Sequence, residues 1–256
     1  MISGTGPLGS GVTLVLWITA LIMILGSLYF TYGSVSGRVA KRQFYAISAI
    51  ITLIAATVYA LMAGGYGTLL QQPGGHLVFF GRYIDWTFTT PLLLLDLALL
   101  ALARNFPNRA GVIGSILVAD VYMILTGFVA SLIRTEFRWV FFAASCAGFL
   151  AVLYFVLTKL MPQASLRGRF IDGHYRRLTT ILVVLWILYP VVWALGKEGF
   201  GVIPTLAETV CYAVLDVCAK VGFGLVLVSN RDALEDVDRE INPVVERPAG
   251  QINPRY

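Results

Sequence analysis

The sequence predicts an all-α membrane protein: a seven-transmembrane helix bundle with the N-terminus outside and the C-terminus cytoplasmic. Three observations predict it. The 256 residues are 58% hydrophobic and 13% charged, whereas soluble domains carry roughly 25% charged residues, and the mean hydropathy is +0.79. Apolar runs of spanning length, about 17 to 25 residues, fall at about 11–32, 43–63, 80–103, 110–133, 137–160, 178–196 and 202–228. The connections after the first, third and fifth runs hold Arg38, Lys41, Arg42, Arg104, Arg109, Lys159, Arg167, Arg169, Arg176 and Arg177, while the other side holds only Arg134, Arg138 and Lys197. Positive connections stay in the cytoplasm, which sets the orientation. The net charge of +5 is therefore topological, so the expected partner is the lipid bilayer of the cell membrane and not nucleic acid.

No Lys or Arg precedes the first run, which is itself long enough to span, so it is expected to act as an uncleaved targeting signal. Between the second and third runs, Gly64 to His76 contains GGYG and QQPGG, turn chemistry that predicts a small outer hairpin, with His76 a solvated loop residue. The third run reads RYIDWTFTTPLLLLDLALL. On a helix Arg82, Asp85, Thr89 and Asp96 share one stripe, and the two aspartates lie roughly 16 Å apart along the axis. In a hydrocarbon core of about 30 Å they sit in opposite halves. Acids at two depths on one face resemble stations along a proton path.

The fourth run adds Asp120 within VADVYMILTG. After the fifth, MPQASLRGRFIDGHY reads as a basic cytoplasmic loop whose proline ends the helix. The sixth holds WILYPVVW, where Trp186, Tyr189 and Trp193 recur at helical spacing around Pro190, as core packing or as a kinked wall around something flat. The seventh holds Glu208, Asp216 and Lys220 as its only charges. A lysine at the bilayer centre costs about 2.5–3.5 kcal/mol, so Lys220 must face the interior with a partner or a modification, and Asp216 lies one turn before it. An ion pair that only fixes helix packing is the competing reading of that pair. Cys146, Cys211 and Cys218 lie in apolar runs, read as small core residues without disulfide or metal spacing. Short connections make residues 1–230 one domain; the charged, proline-bearing tail, 231–256, is expected to be largely disordered.

RYIDWTFTTPLLLLDLALL, WILYPVVW and LDVCAKVGFG together resemble the microbial (type 1) rhodopsins, most closely the bacteriorhodopsin type of light-driven proton pump, over roughly residues 11 to 230. The resemblance implies all-trans retinal bound covalently to Lys220 as a protonated Schiff base. It implies Asp85 and Asp216 as counterions, with Asp85 the proton acceptor bonded by Thr89 and kept ionised by Arg82. Asp96 would be the desolvated, protonated donor, with Ser48 as its hydroxyl partner. Glu198 and Glu208 would share the released proton, although Lys197 beside Glu198 is expected to lower that acid's pKa. Asp120 would bond Thr90 as a latch. The implied pocket is Trp86, Thr90, Leu93, Met123, Gly127, Phe142, Ser145, Trp186, Tyr189, Pro190, Trp193 and Ala219, with Tyr59 and Tyr189 bonding Asp216. Phe141 and Phe142 depart from the tryptophans of bacteriorhodopsin, which leaves the absorption maximum open, and Phe142 argues against a carotenoid antenna.

The implied function is light-driven outward transport of protons, aided by internal waters, by an ion transporter and not an enzyme, in a homo-oligomer for which the resemblance suggests a trimer. A sensory photoreceptor signalling to a membrane partner and a light-gated cation channel are the alternatives. Asp96 disfavours the first, because sensory relatives commonly lack that acid.

Overall fold

The computed structural model describes residues 8–36, 39–71 and 76–241. Backbone amides in hydrocarbon must bond within their own segment, and each long apolar run is accordingly helical. The spanning helices are α1 (Ser10–Ser36), α2 (Val39–Ala63), α3 (Phe80–Ala101), α4 (Arg109–Leu132), α5 (Arg138–Leu166), α6 (Arg169–Leu195) and α7 (Thr205–Ser229). Between α2 and α3, β1 (Leu69–Gln71) pairs antiparallel with β2 (His76–Val78), Leu70 opposite Leu77. The expected hairpin is therefore present; its turn and the His76 side chain lie outside the described residues. The hairpin marks one end of the bundle. A further helix, α8 (Arg231–Ile241), marks the other, the tail end.

Helix α1 packs along α2 and α4 along α5, while α3 touches α2, α4 and α6. Helices α3 and α7 bear most of the intramembrane charges, and their apolar windows are 56% and 50% buried, against 17% for α5. Charge in a membrane belongs where lipid is excluded, so the charged helices take interior places.

The structure departs from the sequence reading in four places. Pro162 does not end the fifth helix: a π-helical segment, Val156–Leu160, precedes it, and Pro162 opens the next α-helical turn, where its missing N–H leaves no bond unmade. The expected loop over 161–175 is instead mostly helix, interrupted at Gly168, whose φ of +109° suits glycine. Helix α6 thus begins at Arg169, well before the apolar stretch from 178. Disorder expected from residue 231 gives way to α8, whose Ala233, Leu234 and Val237 are buried and whose first turn is capped by Asn230 Oδ1 accepting from Ala233 N at 3.1 Å; residues 242–256 lie outside the described residues. Cys211 and Cys218 face outward instead of into the core, and only Cys146 is half-buried.

Candidate functional site

Lys220 stands at the middle of α7 within a second π-helical turn, Cys218–Gly222. Such turns recur at functional positions, and nothing in the local sequence signalled this one. Its Nζ lies 2.6 Å from Asp85 Oδ2 of α3 and 3.0 Å from Asp216 Oδ1, one turn earlier on its own helix. All three side chains are buried. The two carboxylates differ in their other bonds. Asp216 also accepts from Tyr59 Oη at 2.7 Å, Tyr189 Oη at 2.7 Å and Trp86 Nε1 at 3.1 Å. Asp85 Oδ2 accepts from Lys220, and its Oδ1 is buried without a hydrogen-bond partner among the described residues. Thr89 does bond to Asp85, but through the main chain: its hydroxyl donates to the Asp85 carbonyl at 2.8 Å.

A cavity opens beside Lys220, offering about 100 Å³ to the centres of water-sized spheres, where one water needs about 10–15 Å³. The residues expected in the pocket all line it: Trp86, Thr90, Leu93, Met123, Gly127, Phe142, Ser145, Trp186, Tyr189, Pro190, Trp193 and Ala219. Gly127 leaves room for Ser145, whose Oγ would lie 3.1 Å from an added Cβ. Phe142 stacks on Trp193 with ring centroids 4.4 Å apart and planes 14° from parallel. An apolar cavity walled by flat rings, with one cationic nitrogen at its edge, fits an elongated, planar apolar group held at that nitrogen. Thr90 Oγ1 donates to Asp120 Oδ2 at 2.7 Å and ties α3 to α4.

Tyr83, Ile124, Cys146, Phe149 and Tyr212 also line the cavity, and the sequence reading missed them. A signal existed for Tyr212: Glu208, Tyr212, Asp216 and Lys220 follow one another at four-residue steps on one helix face. Phe142, Cys146 and Phe149 likewise share a face of α5.

Toward the hairpin end, Arg82 turns from Asp85 to Glu208, with Nη1 to Oε1 at 2.9 Å, and donates to Thr209 Oγ1 at 3.2 Å. The rings of Phe79 and Tyr212 hold its guanidinium, their centroids 4.3 and 4.5 Å away. Glu198, in the connection between α6 and α7, is 4% exposed. Its carboxyl pKa is pushed up to about 8, first by burial and then by the negative charge of Glu208. The lowering expected from Lys197 is overturned: that side chain is exposed, and the residue instead gives its backbone N–H to Glu208 Oε2 at 2.9 Å.

In the other half of α3, both Asp96 oxygens are buried without a hydrogen-bond partner, as is Ser48 Oγ. The expected Ser48–Asp96 bond is therefore absent. Gly224 of α7 has no side chain, and the Phe30 ring fills that space, 2.6 Å from where a Cβ would stand, with the Ser48 hydroxyl beside it at 3.1 Å.

Among known proteins, the chain matches the family described as Bacteriorhodopsin-like protein over residues 10–234. It is 44% identical over 227 residues to a bacteriorhodopsin of Haloterrigena sp. (strain arg-4), covering 87% of this chain and 89% of that one. The crystal structure of thermophilic rhodopsin from Rubrobacter xylanophilus is 44% identical and superposes with a TM-score of 0.84, covering 88% of this chain and 98% of its own. That of the light-driven proton pump rhodopsin from Coccomyxa subellipsoidea is 37% identical, with a TM-score of 0.80 over 88% of this chain and 98% of its own.

Proposed function

This chain belongs to the bacteriorhodopsin-like family, and from that premise we propose that it is a light-driven outward proton pump with all-trans retinal held on Lys220 Nζ. It is a multi-pass integral membrane protein, and the proposed direction of transport follows from the arginine and lysine asymmetry, with the hairpin end outside and the tail end in the cytoplasm. The observation that carries the reading is the nitrogen of Lys220 held 2.6 Å from Asp85 and 3.0 Å from Asp216, with Asp96 buried and unpaired in the other half of the same helix. Family membership and the fit of the cavity support the chromophore. When bound, retinal supplies light absorption and an isomerisation that changes which side the Lys220 nitrogen faces.

The residues divide the remaining work. Taking up a proton would cost Asp216 bonds from two tyrosines and a tryptophan, whereas Asp85 Oδ1 has no hydrogen-bond partner among the described residues to lose. Asp85 Oδ2 is therefore the acceptor and Asp216 the standing counter-charge. Arg82, poised between the tyrosine and phenylalanine rings, carries the change in charge toward Glu208 and Glu198, which release a proton outward. An unpaired carboxylate buried among leucines would be costly as an ion, so Asp96 holds its proton until the Lys220 nitrogen needs one. The phenyl ring of Phe142, the indoles of Trp86, Trp186 and Trp193 and the Thr90–Asp120 bond keep the cavity walls in place and exclude bulk water.

The test is the pH of an unbuffered suspension of cells making the protein with added all-trans retinal. Acidification in light, abolished by a protonophore and lost in Lys220→Ala and Asp85→Asn, is the expected result. A coloured, membrane-inserted protein that moves no pH would overturn the pump.

A further inference from the structure

Tyr212 of α7 joins two parts of the site that otherwise lie apart. Its ring lines the cavity beside Lys220, and the centroid of the same ring lies 4.5 Å from the Arg82 guanidinium carbon. Phe79 supplies the second ring, at 4.3 Å, but does not line the cavity. Tyr212 also packs on Trp86 and Tyr189, with ring centroids 5.4 and 6.0 Å away, and those two side chains donate to Asp216. One buried ring therefore touches the cavity, the donors to Asp216 and the cation that reaches the outer acids.

Arg82 has carboxylates on both sides. Toward the cavity, Asp85 and Asp216 face one lysine, which leaves a net negative charge; toward the hairpin end, Glu208 meets the guanidinium at 2.9 Å. Attractions that oppose one another largely cancel, so a further contact decides where the guanidinium rests. An aromatic face is worth more to a desolvated cation than to a solvated one, and Arg82 is 2% exposed. Tyr212 follows Glu208 by four residues, so ring and acid lie on one face of α7 and meet the same guanidinium.

We propose that Tyr212 is a positioning residue whose ring seats Arg82 against Glu208 and passes changes in the cavity wall to that cation. In the pump reading, on which this rests, a change of shape or charge beside Lys220 reaches Arg82 through a single ring. The ring does this and not the hydroxyl. Glu198 is where the effect can be read: Arg82 and Tyr83 of α3 and Glu208 and Tyr212 of α7 face it. Burial and the charge of Glu208 raise its pKa, and the charge of Arg82 lowers it. Without the ring, Arg82 withdraws toward Asp85 and Asp216, and Glu198 keeps its proton to a higher pH.

The experiment uses the full chain with all-trans retinal in nanodiscs. Wild type is compared with Tyr212→Phe, which keeps the ring, and with Tyr212→Leu and Tyr212→Met, which do not. Circular dichroism checks that each folds, and two ring-less variants are made so that one remains if the other fails. In the dark, solid-state NMR between guanidinium nitrogen-15 and carboxyl carbon-13, assigned with Arg82→Gln, reads the Arg82–Glu208 contact. After a flash, a pH-indicating dye reads the pH at which early release fades. Wild type and Tyr212→Phe are expected to agree in both, whereas the ring-less variants lose the contact and release protons to about one pH unit higher, a roughly tenfold change in the Glu198 equilibrium. A ring that only filled space would lower thermal stability and leave both readings in place. That outcome, or Tyr212→Phe behaving as the ring-less variants do, overturns the proposal. A wild-type protein that releases no proton in light, while the dark contact is still lost only without the ring, overturns the pump and upholds the seat of Arg82.

Discussion

Asp85 and Asp96 are both fully buried on α3, and what surrounds each sets what it can do. Neither Asp96 oxygen has a partner among the described residues, and the proposed role of Asp96 is to hold and hand over a proton. Asp96→Asn is expected to slow the recovery of the Lys220 proton roughly a hundredfold or more, the scale of a positioned proton donor, as read from flash absorption kinetics; unchanged kinetics would remove Asp96 from the path. In the proposed cycle Glu198 is expected to set the pH dependence of release. Its raised folded-state pKa of about 8 means that it keeps its proton below that pH and is ionised above it. Early proton release, followed with a pH-indicating dye after a flash, is therefore expected in full near pH 6 and to fade through about pH 8, and to vanish in Glu198→Gln. By the same sign, Glu198 favours the folded state most below its usual range near pH 4.3, and that contribution declines as pH rises to about 8. The Lys220–Asp216 pair was legible as a four-residue step in a run with almost no other charge. That Ser48 does not meet Asp96 was not, because it depends on how α2 sits against the other helices and not on local pattern.

Helices α4 and α5 meet where Gly148 has no side chain. An added Cβ there would stand 3.0 Å from both Cα and Cβ of Met123 and 3.1 Å from the Tyr122 ring, whereas at Gly114 it would meet nothing within 4 Å. Gly148→Ala is expected to destabilise by about 1–3 kcal/mol as the helices are forced apart. Gly114→Ala is expected to be neutral or to stabilise by up to about 1 kcal/mol. Thermal unfolding of both in one detergent makes the comparison, and equal melting temperatures would contradict the close contact. Spanning helices were legible because twenty apolar residues have few other uses. The start of α6 was hidden because its first turns, RFIDGHYRR, are polar, and polarity reads as loop until the buried Ile171, His174 and Tyr175 reveal one inward face. His174 Nε2 lies 2.9 Å from the Leu227 carbonyl, and Tyr175 donates to the Val156 carbonyl at 2.9 Å. Both bonds reach across to other helices, which local pattern does not register.

For the whole molecule, the distribution of arginine and lysine predicts which end meets the cytoplasm. Single substitutions Lys197→Cys and Arg104→Cys, at exposed residues of opposite ends, are expected to differ in intact cells. A membrane-impermeant maleimide should label the first and not the second, and the reverse would invert the topology. The natural cysteines add a ruler of their own. Cys211 and Cys218 are free and exposed on the helix that carries Lys220, two helical turns apart and so on one side of it. With Cys146, which lines the cavity, replaced by serine, spin labels delivered through the lipid to these two thiols would therefore report depth and tilt of the Lys220 helix from its outer surface without adding a cysteine.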